Sequence, residues 1–281
     1  MRTVTLSNSG LASSRLGFGT SSLHHLLSSS ARQRLLHHAW ELGIRHFDTA
    51  PLYGHEQAER ELGRFGRGKR ADMILATKFG ILPISLLTKV PAVMYARMYG
   101  MGLARKLIGN VPSMGDIVRD FSPRHAVERV ERSLRLLRTD YLDIVFLHEP
   151  TLAQVEAPDD LLRTLSDLKD QGKVRHFGLS TTGADCASLA RAHPGFATML
   201  QVDANPATGG LAAVENAGLR TAVSFGHMRG MKNPPASPAE RMREGLRQAT
   251  QENPDGVILF SSRKPGHIEE AVRHLETLET S

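Results

Sequence analysis

Short apolar runs alternate along this chain with longer stretches whose apolar positions recur every three or four residues. The first kind reads as buried strands and the second as amphipathic helices, an order that argues for a parallel sheet with crossover helices. Strands are expected near Leu16–Gly19, Arg45–Asp48, Met73–Lys78, Leu142–His148, Val174–Ser180, Met199–Val202, Thr221–Phe225 and Gly256–Phe260. Helices are expected near Ala31–Leu42, Gln57–Phe65, Pro123–Leu137, Asp159–Gln171, Ala184–Ala192, Gly209–Ala217, Pro238–Gln251 and Ile268–Leu278. Thr3–Leu6 and the turn at Gly10 suggest a small hairpin ahead of these repeats. Eight strand–helix pairs imply an α/β fold of the (β/α)8 TIM-barrel type, with an N-terminal β-hairpin and a long loop insertion after the third barrel strand. Functional residues of such barrels sit at the C-terminal ends of the strands.

The 281 residues are 41% hydrophobic and 23% charged. No linker or charge block divides them, so one barrel domain over 1–281 is expected. The single Cys186 excludes an intramolecular disulfide and fits a reducing compartment. The N-terminus lacks a basic start followed by an apolar stretch, and a cytoplasmic location is expected. The net charge of +6 is spread along the chain, with four Tyr and one Trp for base stacking. That argues against a nucleic-acid partner and for attraction of an anionic cofactor or substrate.

The insertion, at about 81–120, is unusual. From Ile81 to Gly115 it carries Lys89, Arg97, Arg105 and Lys106 and no acid, and Val93–Ile108 fits an amphipathic helix. A lid over the substrate, a packed or oligomeric surface and a membrane-surface contact are its three readings. It cannot span a bilayer, because charges and Pro interrupt every 20-residue window. Oligomeric state is not legible in the sequence.

Four short pieces carry candidate chemistry: Phe47-Asp48-Thr49-Ala50-Pro51-Leu52-Tyr53-Gly54, Ala76-Thr77-Lys78-Phe79-Gly80, Asp140-Tyr141-Leu142-Asp143 and Phe146-Leu147-His148-Glu149-Pro150. They combine a carboxylate, a phenol, an ammonium and an imidazole. A carbonyl accepting hydride develops negative charge on oxygen and needs a proton there. Tyr53 is the candidate acid, and a nearby ammonium, Lys78, lowers a phenol pKa. Asp48 would balance Lys78, and a neutral His148 would orient the carbonyl. Singly, each residue has an ordinary role: Asp48 as a turn cap, Lys78 with its stem packed, His148 and Tyr53 as loop or core residues. It is their joint placement at strand ends that singles them out.

These pieces resemble the signature of the aldo-keto reductase superfamily, with its Asp-Tyr-Lys-His tetrad. Leu16-Gly17-Phe18-Gly19-Thr20, Gly172 to Ser180 and Gln201-Val202-Asp203-Ala204-Asn205-Pro206 resemble the family's first, fifth and sixth strands. The resemblance runs from about Leu16 to about Glu270. It implies NADPH-dependent reduction of an aldehyde or ketone, a small-molecule carbonyl substrate, and a nicotinamide cofactor extended across the barrel mouth. The alternative from another class is a nicotinamide-binding regulatory or interaction protein with incidental turnover. Gly17-Phe18-Gly19 is a poor match to the rival dinucleotide fingerprint, since Ser22 stands where its third Gly belongs. His24-His25 and His37-His38 are not spaced as a metal site, and no metal is expected.

By family position, Ser180 and Gln201 would bond the nicotinamide carboxamide, with Thr181 in place of the usual Asn. Thr20 and Ser21, beside Asp48, would approach the nicotinamide ribose. Either Ser224 or Phe225 occupies the position where an aromatic stacks on the ring. At the phosphate end, Ser261 and His267 replace the usual basic pair, beside Ser262. Arg263 and Lys264 are then the candidates for a 2′-phosphate, and NADPH is expected ahead of NADH. Glu270 matches the family's adenine contact, while Ala271 replaces an Asn. The chain stops soon after its last helix, where many relatives carry a closing loop, which leaves the insertion as the expected substrate wall.

Overall fold

A computed structural model describes residues 1–83, 118–229, 231 and 234–280. The expected helix Val93–Ile108 and the basic residues Lys89, Arg97, Arg105 and Lys106 lie outside the described residues. So do the lid, interface and membrane-surface roles considered for that segment.

A hairpin of β1 (Thr3–Thr5) and β2 (Ala12–Ser14) precedes a closed parallel barrel. The barrel strands are β3 (Leu16–Gly19), β4 (His46–Asp48), β5 (Ile74–Phe79), β6 (Leu142–His148), β7 (Val174–Thr182), β8 (Leu200–Asp203), β9 (Val223–Phe225) and β10 (Val257–Phe260). They pair in chain order, and β10 closes on β3. Among the described residues the crossover helices are α1 (Ser29–Glu41), α2 (Gln57–Phe65), α3 (Pro123–Leu137), α4 (Pro158–Asp170), α5 (Gly183–Ala192), α6 (Ala212–Asn216), α7 (Pro238–Glu252) and α8 (Pro265–Thr280).

Local chemistry explains the boundaries. Side chains of Ser28, Ser122, Thr182 and Ser237 accept from backbone N–H groups in the first turns of α1, α3, α5 and α7. Each such cap stabilises its helix by about 1 kcal/mol. Capping by Ser28 starts α1 at Ser29, ahead of the expected Ala31. The expected helix Gly209–Ala217 shortens to α6 because Gly209 and Gly210 have φ of 88° and 52°, outside the helical region. Gly178 is required for strand packing: a Cβ there would lie 1.8 Å from the carbonyl oxygen of Met199, just before β8.

Strand alternation sorts the apolar side chains into two clusters. Ile74, Ala76, Ile144, Phe146, Met199, Val223 and Val257 form one, with Val4 and Leu6 of the N-terminal segment packed against them. The larger cluster joins Phe47, Leu75, Val145, Leu147, Leu179 and Val202 to the apolar stripes of the helices. Each buried Leu, Val or Phe contributes about 1.5–3 kcal/mol relative to exposure. Among the described residues no helix is long and apolar enough to cross a membrane. No group of three or more His, Cys, Asp or Glu there is placed to hold a metal ion.

Candidate active site

The C-terminal ends of β4, β5 and β6 bring Asp48, Lys78 and His148 together, and the loop after β4 adds Tyr53. Register does this directly: Asp48 pairs with Ala76 on β5, and Lys78 pairs with Phe146 on β6. All four side chains line one cavity of about 500 Å3, a size typical of small-molecule sites. Lys78 Nζ donates to Asp48 Oδ1 at 2.6 Å and to the Thr49 carbonyl at 3.0 Å. It lies 5.1 Å from the centre of the Tyr53 ring, and its charge is felt at the phenol. Tyr53 and His148 meet edge to face, with ring centroids 6.0 Å apart and planes at 87°.

Charge states follow from this packing. Burial works against the Lys78 ammonium, but Asp48 and Tyr53 outweigh it and raise its pKa. Burial, followed by the Lys78 and Arg119 charges, holds His148 well below the ordinary imidazole value; it is neutral near pH 7. For Tyr53 the outcome differs from the expectation. Burial pushes the phenol up, and Lys78 pulls against that without overcoming it. The phenol is thus protonated at neutral pH.

The Tyr53 loop is pinned from below. Gly54, His55 and Glu56 all have positive φ, at 60°, 49° and 72°. Two of these carry side chains in a region that disfavours them. Glu56 anchors the bend: Arg129 Nη1 donates to it at 3.0 Å and Arg132 Nη2 at 2.6 Å, both from α3. Burial opposes the Glu56 charge, but these guanidiniums outweigh it and lower its pKa. Sequence reasoning missed this anchor. The available signal was an Arg-x-x-Arg spacing on α3, which places both guanidiniums on one helix face.

Ser180 Oγ donates to Gln201 Oε1, and Gln201 Nε2 donates to Asp48 Oδ2 at 2.8 Å. A hydrogen-bonded chain therefore links the expected carboxamide ligands to the Asp48–Lys78 pair. Register puts Ser224 and Phe225 on opposite faces of β9. Val223 pairs with Gln201 and Phe225 with Asp203, so Phe225 follows Val223 onto the inner face and lines the cavity. Ser224 is buried on the opposite face, bonded to His227 Nε2 at 2.8 Å and Asn253 Nδ2 at 3.1 Å. Thr181 pairs with Val202 and does not line the cavity. Thr20 is buried and donates to the Asp48 carbonyl at 3.0 Å, whereas Ser21 lines the mouth.

At the end of β10, Ser261 lines the mouth and donates to the Gly19 carbonyl at 2.8 Å. Ser262 accepts from the Lys264 amide at 3.1 Å, shaping the turn into α8. Arg263, Lys264 and His267 are exposed. Arg263 borders a separate cavity of about 600 Å3 with Leu26, Leu35 and His38, between α1 and α8. Glu270 accepts from Arg243 Nη2 on α7 at 3.2 Å. Glu149, Met228, Arg229 and Leu259, absent from the expected set, also line the mouth.

These residues fit a nicotinamide cofactor. An aromatic face, an amide and a hydroxyl converge on one wall. Gly226, with φ of 82°, has no room for a side chain, because a Cβ there would lie 2.4 Å from Asp203 Oδ1. The exposed N-terminus of α8, flanked by Arg263 and Lys264, suits the phosphate end.

The pattern of the Aldo/keto reductase family matches residues 15–224, and the chain belongs to that family. It is 28% identical over 199 residues to L-galactose dehydrogenase of Arabidopsis thaliana, covering 68% of this chain and 52% of that one. It is 27% identical over 183 residues to an NADP(+)-designated aldo-keto reductase of Schizosaccharomyces pombe, covering 63% and 45%. The chain spans about half the length of these curated relatives. The fold is that of an aldo-keto reductase from Bacillus halodurans in holo form, with a TM-score of 0.73 at 20% identity, covering 98% and 91%.

Proposed function

We propose that the protein reduces an aldehyde or ketone to an alcohol, with Tyr53 as general acid and NADPH as its cofactor. The observation that carries this is the Lys78 ammonium, buried between Asp48 and Tyr53 with a neutral His148 edge-on to the phenol. A bound nicotinamide supplies the hydride. Phe225 gives its ring a stacking face, and Ser180 and Gln201 orient its amide. The carbonyl oxygen sits between Tyr53 and His148. His148, being neutral, donates one N–H to that oxygen and holds it in line. Tyr53 transfers its phenolic proton to the oxygen as negative charge develops there. Lys78 stabilises the phenolate left behind, and Asp48 keeps Lys78 charged in a site that burial would otherwise discharge.

Arg263 and Lys264 support NADPH over NADH, because a guanidinium or ammonium at a helix N-terminus favours the extra phosphate. The name of the Schizosaccharomyces pombe relative points the same way. The name of the Arabidopsis relative widens the substrate class to sugars. A single-domain, cytoplasmic enzyme remains part of the proposal.

The test is NADPH oxidation at 340 nm with a panel of aldehydes and ketones, for wild type and Tyr53→Phe. Wild-type turnover with kcat lowered about 100-fold or more in the variant, at unchanged NADPH affinity, is expected. Near-wild-type kcat in Tyr53→Phe would sink the assignment of the acid. Tight NADPH binding without turnover across the panel would favour a cofactor-binding regulatory protein.

A further inference from the structure

With a cofactor along Ser21, Ser180, Gln201 and Phe225, one wall of the mouth is left over. The ends of β4 and β6 place Leu52 and Glu149 there, beside Tyr53 and His148. Glu149 directly follows His148 and has φ of 51°. That left-handed conformation is disfavoured for a residue with a side chain. Its N–H donates to the Ser180 carbonyl at 2.8 Å, which fixes the bend across β6 and β7. The Glu149 side chain is 56% exposed, and its charge is felt at the Tyr53 phenol.

Arg119 braces this carboxylate. Its Nη2 donates to Glu149 Oε2 at 3.0 Å. Its side chain is only 24% exposed and its Nε is buried, so the guanidinium is less open to solvent than the carboxylate it bonds. A short ribbon just beyond β5 carries Arg119: Ile81 bridges to Arg119, and the Asp120 N–H donates to the Gly80 carbonyl at 2.8 Å. The brace therefore grows from the same strand end as Lys78.

An ionised carboxylate only accepts hydrogen bonds. At a substrate wall it favours hydroxyl donors through charge-assisted bonds, repels an anionic substituent and gains nothing from an alkyl chain. We infer that Glu149 is a specificity-determining residue that accepts hydrogen bonds from hydroxyl groups next to the reacting carbonyl, with Arg119 as its positioning residue. The pair selects neutral hydroxylated carbonyl compounds over apolar or anionic ones. This rests on the reductase reading.

The experiment compares kcat/KM for matched substrates: glyceraldehyde against propanal, and succinic semialdehyde against butanal. In Glu149→Ala the glyceraldehyde-to-propanal ratio should fall about tenfold or more, and Glu149→Gln should fall between that and wild type. Arg119→Met should lower the same ratio, and Arg119→Lys should restore part of it. Both Glu149 variants should improve the relative use of succinic semialdehyde. A ratio unmoved in Glu149→Ala, or a wild type that prefers succinic semialdehyde to butanal, overturns the selection. An unmoved ratio in Arg119→Met overturns the positioning role. A wild type that oxidises NADPH with none of these or the panel carbonyls removes the reductase reading itself; turnover with an unmoved ratio removes only this inference.

Discussion

The two ends of the mouth are built differently. At the β4–β6 end, Asp48 and Lys78 are nearly inaccessible and bonded to each other and to fixed partners, Gln201 and the Thr49 carbonyl. At the β10–α8 end, Arg263 and Lys264 stand in solvent on a turn. A buried charge without its partner is heavily penalised, so the first end holds one geometry before any ligand arrives. An exposed guanidinium is screened and mobile, so the second end contributes attraction with little preorganisation. The β4–β6 end is rigid because its charges satisfy each other; the β10–α8 end leaves Arg263 and Lys264 to solvent.

Lys78→Met should break the contrast most severely. It strands Asp48 in the barrel and removes the cation that stabilises a phenolate. We expect kcat to fall by about 100-fold or more and the fold to lose about 3–5 kcal/mol. Steady-state assay and thermal melting check the two effects. Retention of both would show that the pair is ornamental to fold and reaction alike.

Phe225→Ala and Ser224→Ala probe the two faces of β9. Losing the ring should weaken NADPH by about tenfold in fluorescence titration, the stack and its buried area together. Ser224→Ala should leave that affinity alone but cost about 1–3 kcal/mol, since His227 and Asn253 lose a buried partner. The opposite pattern would mean that Ser224 faces the ring.

Arg263→Ala tests the solvated end. Because the side chain is exposed, the expected loss for NADPH is only about fivefold, with NADH nearly unaffected, and it should fade as salt rises. Equal loss for both cofactors would falsify the phosphate role.

The smallest expected effect concerns pH. Burial and neighbouring cations keep His148 neutral, and burial keeps Tyr53 protonated. Lowering the pH through about 6.5 therefore leaves both groups in their working forms. Reductive kcat should be flat from about pH 6 to about pH 9 and decline only above about 10, as the phenol ionises. A kcat that drops with an apparent pKa near 6.5 would show that His148 titrates as an ordinary imidazole.

Much of this was legible in the sequence because it depends on local pattern and residue type. The alternation of short apolar runs with period-3.6 stretches sets the order of strands and helices, and Gln57–Phe65, Pro123–Leu137 and Leu142–His148 fall where their patterns place them. Asp48, Tyr53, Lys78 and His148 stand out because few residue types can deliver and stabilise a proton at a carbonyl. Tertiary structure alone decided whatever depends on register or on partners far apart in the chain. A one-residue step along β9 exchanges Ser224 for Phe225 at the cavity wall, and only pairing with β8 chooses between them. The net direction of the Tyr53 pKa depends on how deeply the barrel buries a group that Lys78 also touches. Glu56 meets Arg129 and Arg132 across 73 and 76 residues of chain, and Arg119 meets Glu149 across 30. The sequence does not pair such distant residues, because they meet only when the barrel closes and brings its loops and outer helices together.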